Sequence, residues 1–369
     1  MATRSPGALA HLSPAGFFSR GAGWLVLAAI VASPVLSINF ADTASIACVY
    51  AMTALSLNIL IGYTGQLSLG HQGFIGVGSL VAANLATQAH WPFALTLVGA
   101  AGAGALIALL LGLVALRITG LYLSLITLVF GVVVASSLFQ TPSLTKGGAG
   151  IEALRPSALT TNQHFYLFAL GALIFVIFID RQLTASKTGR ALLALKENER
   201  VAEAFGIGVT RYKLIAFLLS GSIAGFAGGV YVFELQQFSA QNFQGITGIN
   251  LALLFVVMVV VGGQGSRAGV VVAGAFFAIL ENILDFIFKH GAGVLHHIPL
   301  LSSYYQADSK AAVSGVLSAL LLLQTLIFNP GGINGQIKPF LDWLSGSKFS
   351  FHSAKESGPG AVEGSSVRA

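Results

Sequence analysis

The polar residues whose spacing could do chemistry are few, and the richest group lies between Gly62 and Ser79. There Gly62-Tyr63-Thr64-Gly65-Gln66-Leu67-Ser68-Leu69-Gly70-His71-Gln72-Gly73 leads on through Gly76 and Gly78. Glycine costs about 1 kcal/mol per helical position relative to alanine. Its use here implies either close approach of backbones or a helix that breaks. Backbone freed by a break at membrane depth must line a cavity or be buried in protein. A fresh helix N-terminus would aim N–H groups at a carboxylate, and polar side chains nearby would meet an ammonium group. Gly65, Gln66, Ser68, Gly70 and His71 are therefore candidate substrate-pathway residues. The alternative is helix packing through a glycine face, with His71 bonded to a backbone carbonyl; both stay open on the residues alone.

Other candidates are weaker. Glu281 and Asp285 share a helix face, and acidic groups at membrane depth usually point into a bundle; the span ends there, which favours an outer helix end with Asp285 one turn from Lys289. Glu234 is placed at another outer end and receives no role. His296 and His297 are adjacent, so their side chains diverge, and no third ligand is apparent. The sequence holds no G-x-x-x-x-G-K-[ST], H-E-x-x-H, C-x-x-C or G-x-S-x-G pattern. Cys48 is the only cysteine. No catalytic residue and no metal ligand is assigned, and the chain is expected not to be an enzyme.

The elements that must position these residues are apolar. Of 369 residues, 55% are hydrophobic and 9% charged, against roughly 25% charged in a soluble domain. Between Gly21 and Leu116 the only formal charge is Asp42. A spanning helix needs about 20 mostly apolar residues, and that ruler predicts ten spans, near 22–40, 43–62, 66–88, 92–116, 119–139, 163–182, 213–235, 247–263, 268–288 and 311–328. The run from Trp24 to Leu36 follows Arg4 and Arg20 and could be a cleaved signal. Since apolar sequence resumes at Thr43, a retained first helix is expected. The fold class is thus all-α, a polytopic membrane bundle of about ten helices, one of them broken.

The net charge of +6 is spread in short segments between apolar runs, which argues for topology signals and against a nucleic-acid stripe. Basic loops stay cytoplasmic on insertion. With the amino terminus inside, Arg117, the stretch from Arg181 to Lys213, Arg267 and the tail from Lys338 to Arg368 all fall inside; Lys146, Arg155, Lys289 and Lys310 are exceptions on the outer side. From Arg181 to Lys213 there are seven basic and three acidic residues. Ala191, Leu192 and Leu195, then Val201, Ala202 and Phe205, recur at helical spacing between charges, predicting a short amphipathic helix in the cytosol. The tail after Leu344, rich in Ser, Gly and charge, has no apolar periodicity and is expected to be disordered.

Four segments together resemble a known family: 57–71, from Leu57-Asn58-Ile59 to Gly70-His71; Thr119-Gly120-Leu121-Tyr122-Leu123; Gly189-Arg190-Ala191-Leu192 through Glu203-Ala204-Phe205-Gly206-Ile207; and Val261-Gly262-Gly263-Gln264-Gly265-Ser266. They are similar in kind and order to the permeases of branched-chain amino-acid importers of the ATP-binding-cassette class, in the M-type branch. The resemblance implies that the loop from Gly189 to Tyr212 docks on an ATPase, making Gly189, Arg190, Glu203, Ala204 and Gly206 candidate coupling residues. It also implies a homologous second permease, cytosolic ATPase subunits that bind the ATP, an extracytoplasmic binding protein, and no cofactor in this chain. The stretch from Thr145 to Ile151 resembles the family's Gly-rich outer loop but carries Lys146.

The expected layout is a cytoplasmic leader (1–21), a first transmembrane half (22–182), a coupling loop (183–212), a second half (213–328) and a cytoplasmic tail (329–369). The expected function is import of branched-chain or hydrophobic amino acids across a bacterial inner membrane by alternating access, with membrane lipid around the chain and no nucleic acid. Urea or short-amide import is the near alternative, and a stand-alone channel or facilitator the distant one.

Overall fold

The computed structural model describes residues 33–34, 38–115, 120–145, 150–239, 243 and 251–280. Most of the first expected span, the tenth, the tail, Lys146, Glu281, Asp285, His296 and His297 lie outside the described residues. The chain runs through helices α1 (Ile38–Thr64), α2 (His71–Thr87), α3 (Phe93–Ala115), α4 (Leu121–Ser136), the single turn α5 (Pro142–Thr145), α6 (Asn162–Ala185), α7 (Lys187–Glu197), α8 (Glu199–Ala204), α9 (Val209–Leu235), α10 (Leu251–Gly262) and α11 (Arg267–Leu280). One two-residue antiparallel pairing, Ile151 with Phe238 and Glu152 with Gln237, is the only sheet among the described residues.

Five helical segments of the described residues are long and apolar enough to cross a bilayer: Phe40–Thr64, Phe93–Leu113, Leu121–Gln140, Asn162–Ala185 and Val209–Leu235. The molecule is an all-α, multi-pass membrane bundle. A helix that is apolar all round belongs in a core or in lipid, and here both occur. The most apolar window of α1 is 89% buried and that of α9 72%, whereas those of α3, α4 and α6 are 33% buried. The large outward residues of these three include Val98, Leu106, Leu125, Val129, Ile174 and Phe178. So much exposed apolar surface requires lipid or protein around it.

The centre of the bundle is a glycine seam. α9 lies between α2 and α3, and a methyl group built on Gly225 would meet the Ala100 carbonyl and Gly104; one on Gly228 would strike the Ile75 carbonyl. Backbones therefore touch directly, the small-residue packing that substitutes for a hydrophobic drive within lipid. Ser79 Oγ reinforces the seam by donating to the Gly228 carbonyl at 2.6 Å.

Loop contacts gather at two opposite ends. At one, Ala153 N donates to Gln236 O and Asn84 Nδ2 to Leu144 O. At the other, Gly265 N donates to Asn58 Oδ1 and Lys196 Nζ to Gly62 O. The basic loop from Arg181 to Lys213 belongs to this second end, as the alternation of spans requires.

Three expected boundaries differ. α1 begins at Ile38 and carries Asp42 within it, although the sequence suggests a gap before Thr43. The third span becomes helical only at His71. α9 begins at Val209, so Tyr212 and Lys213 are part of the spanning helix and the expected loop boundary falls inside it. In the last case Gly206, at φ 80, ends the preceding helix and Gly208 caps the next.

The seam yields a paired test. Gly225→Ala is expected to lower stability by about 1–3 kcal/mol through overpacking. Gly102→Ala, where a methyl meets nothing within 4 Å, is expected to be neutral or stabilising by up to about 1 kcal/mol. Thermal unfolding of the purified protein in detergent would reveal this, and equal behaviour of the two variants would contradict the seam.

Candidate functional site

The break after α1 is built from its last turn. Thr64 Oγ1 donates back to the Leu60 carbonyl at 2.6 Å, and Gln66 N donates to the same carbonyl at 3.0 Å. Gly65 sits between them at φ 69, a conformation glycine adopts freely. The chain is non-helical from Gly65 to Gly70. It is held against α4, where Leu69 N donates to Thr127 Oγ1 at 2.9 Å. A side chain on Gly70 would press on the Thr127 carbonyl and Phe130, and one on Gly73 on the Phe130 ring.

His71 opens α2 and is 1% exposed. Its Nε2 meets Ser220 Oγ at 3.0 Å and Ser56 Oγ at 3.2 Å, and Ser56 and Ser220 each donate to the other's backbone carbonyl. Three helices are pinned by one polar knot, made with hydroxyls instead of the backbone carbonyl expected for a packed histidine. Gln72 next to it accepts from Ala252 N on α10. Of the five residues singled out in this stretch, Gly65 and Gln66 line a cavity, shared with Ser124, Glu199 and Lys213. Ser68, Gly70 and His71 are buried between helices.

The expected amphipathic element is two helices. Ser186 caps α7, its Oγ accepting from Gly189 N at 3.2 Å, and Gly189 lies so close to the Leu183 carbonyl and Thr184 that no side chain fits. Ala191, Leu192 and Leu195 form the buried face. Asn198 divides the element because its Oδ1 accepts from Arg200 N and Val201 N, starting α8 anew. α8 ends where Ile207 N returns to Ala202 O and Gly206 N to Glu203 O. Arg190, Glu203, Ala204 and Gly206 are exposed, and Phe205 is 82% exposed beside half-exposed Val201.

Polar ties fasten this element to both halves of the bundle. Lys196 Nζ donates to the Gly62 carbonyl at 2.8 Å, and Lys213 pairs with Glu199 at 2.6 Å. At the base, Asp180 is fully buried and its carboxylate receives Arg267 Nε at 2.9 Å and Tyr63 OH at 3.0 Å. Arg267 also donates to Thr184 Oγ1. The sequence reading assigns Tyr63 and Asp180 no role and takes Arg267 only as a topology signal, although Asp180 is the one acid of the sixth expected span.

At the opposite end, Arg155 explains its own exception to the charge rule. It is 9% exposed and pairs with Glu234 at 2.9 Å. It also donates to the Phe233 and Glu234 carbonyls and to Asn162 Oδ1, and lies 4.3 Å from the Phe165 ring centroid. A charge so consumed carries no topogenic weight, and Glu234 gains a structural partner.

The described residues form a multi-pass membrane bundle with a break after α1 and a basic two-helix element at one end. The chain belongs to the family described as the branched-chain amino acid transport system / permease component, whose model matches residues 39–326. It is 30% identical over 273 residues to the high-affinity branched-chain amino acid transport system permease protein LivM of Salmonella typhimurium, a match covering 66% of this chain and 63% of that protein. It is 27% identical over 191 residues to a probable branched-chain amino acid transport permease protein LivH of Methanocaldococcus jannaschii, covering 49% of this chain and 53% of the relative. The ribose import permease protein RbsC of Escherichia coli is 33% identical over 141 residues, or 37% of this chain and 39% of that one. The match to the first relative thus spans less than two thirds of that protein's length.

Arg155→Met leaves the Glu234 carboxylate buried without its cation, so a loss of about 3–5 kcal/mol is expected. The double change Arg155→Met with Glu234→Met is expected to recover much of it. Unfolding curves for the single and double variants would decide; a single variant as stable as the parent would refute the buried pair.

Proposed function

We propose that this chain is the permease subunit of an ATP-driven importer of branched-chain or hydrophobic amino acids in a bacterial cytoplasmic membrane. It works with a homologous second permease, separate ATPase subunits and an extracytoplasmic binding protein. The end that carries the basic loop faces the cytosol. The family and the names of the relatives support the solute class, and the names LivM and LivH among the relatives support pairing with a second permease.

The observation that carries the mechanical part is the α7–α8 element. Its outer side presents Phe205 and Val201, apolar surface outside the spanning helices and in want of a protein partner. Its inner side is tied by Lys196 to the end of α1 and by Glu199 to α9. A push on Phe205 is therefore delivered to spanning helices and not dissipated in a loop. Alternating access follows from rigid-body motion of this kind: the ATPases close, the element moves, and α1 and α9 change their inclination around the pathway.

Phe205→Glu is expected to weaken association with the ATPase by about 2 kcal/mol, roughly 30-fold, as for a central apolar anchor. Gly206→Val would strain the turn at φ 80 and is expected to lower uptake per ATP hydrolysed while membrane insertion persists. Co-purification and leucine uptake by the reconstituted complex test both. An ATPase retained at the parental ratio by Phe205→Glu would remove the docking role; uptake of urea in place of leucine would reassign the solute.

A further inference from the structure

The outward strip of α6 ends in positive charge. Gly171, Ile174, Phe178, Arg181 and Ala185 recur at intervals of three and four, so they share one face of the helix, and all five are exposed. The inward face carries Phe165, Ala169, Ala172, Val176, Asp180 and Leu183, all buried. About 20 apolar residues cross a hydrocarbon core, and that length counted from the polar start of α6 at Asn162 reaches Arg181. The Arg181 guanidinium therefore stands at headgroup depth, directly beyond apolar surface.

Two more cations gather at the same corner. α6 stops at Ala185, Ser186 caps α7, and Lys187 is the first residue of α7. Arg190 Nη1 donates to the Ala185 carbonyl at 3.2 Å, which brings this second guanidinium back to the last turn of α6. Lys187 and Arg190 are both exposed. From Arg181 to Lys196 the chain has four basic residues and no acidic one, and of the four only Lys196 is spent, on the Gly62 carbonyl. Arg181, Lys187 and Arg190 have no carboxylate partner among the described residues. Asp180, beside Arg181 in the chain, is fully buried and taken by Arg267 and Tyr63. Three accessible cations thus adjoin an apolar strip without a counter-charge.

We propose that this corner binds an anionic glycerophospholipid, its phosphate held by Arg181, Lys187 and Arg190 and one acyl chain lying along Phe178, Ile174 and Gly171. An acidic soluble partner would match the charge and leave the apolar strip uncovered; an anionic lipid matches both. Basic residues at the end of a spanning helix are drawn to anionic headgroups in this way. Placing the site in the cytosolic leaflet rests on the importer reading, whereas the binding itself does not. The lipid fastens the corner where α6 passes into α7, and so anchors the start of the docking element to the bilayer.

The full chain, purified in detergent, is titrated with phosphatidylglycerol or with phosphatidylcholine of the same acyl chains and followed by native mass spectrometry. The first phosphatidylglycerol is expected to bind about 100-fold more tightly than the first phosphatidylcholine, from three cations at about five-fold each. Arg181→Gln and Lys187→Gln are each expected to reduce that preference about five-fold, and Arg181→Lys to keep it. Phosphatidylglycerol with a photoreactive acyl chain is expected to label residues 171–181 of the unaltered chain, a result that needs no variant to fold. Equal affinity for the two lipids, or label confined to other helices, overturns the site. Release of the lipid by an equal concentration of glycerol 3-phosphate also overturns it, in favour of a soluble phosphate. Labelling is then repeated on the complex carrying the ATPase: label kept at 171–181 supports the lipid, and label lost there gives the corner to a protein and overturns the proposal. A chain that binds the lipid but recovers no ATPase keeps the site and removes the importer reading.

Discussion

The last turn of a helix leaves carbonyls without intrahelical partners, and groups packed against it must supply the donors. That demand at the foot of α1 governs much of the molecule. Two donors return to the Leu60 carbonyl, from Thr64 Oγ1 and Gln66 N. The Gly62 carbonyl finds no donor in its own chain segment and is met by the ammonium group of Lys196, 134 residues away. The side chain of Asn58, one turn earlier, accepts from Gly265 N at the α10–α11 turn. Satisfying one helix terminus thus brings the two-helix element α7–α8 and the second half of the chain to the same place.

The four separated stretches that carry the resemblance meet at this end of the bundle. Residues 57–71 supply the helix end, 189–207 the lysine that meets it, and 261–266 the turn beside it. Gly120, Leu121 and Leu123 line one cavity together with Glu199. Each stretch alone is a glycine-rich fragment; together they form one end of the bundle. The glycines there have different duties. Gly65 takes a left-handed turn, while Gly62 leaves room for the Asn58 side chain and the Gly265 amide.

Hydropathy made the membrane spans legible because transfer from water to lipid depends on composition, and the five long helices lie where the apolar runs lie. The break near Gly65 and the amphipathic faces of α7 and α8 were legible as well, from glycine content and helical spacing. Partners were not. Arg155 and Glu234 are 79 residues apart, and Tyr63 and Asp180 are 117 apart, so nothing local distinguishes a consumed charge from a topology signal. The division at Asn198 was missed because apolar spacing on either side reads as one helix, whereas a single side-chain carbonyl restarts it. For His71, periodicity says that it is inside but not whether a hydroxyl or a carbonyl awaits it.

The backbone-to-backbone seam among α2, α3 and α9 has no side-chain layer to shear. Where peptide planes touch, a slide of even a fraction of an ångström meets hard repulsion, so these three helices behave as a single keel. α4 and α6 add ring contacts, Phe130 on Phe74 and Phe175 on Phe226, beside the polar ties at Thr127 and Asp180. The described spans thus divide into a core joined through backbone contacts and an outer set that turns apolar side chains outward.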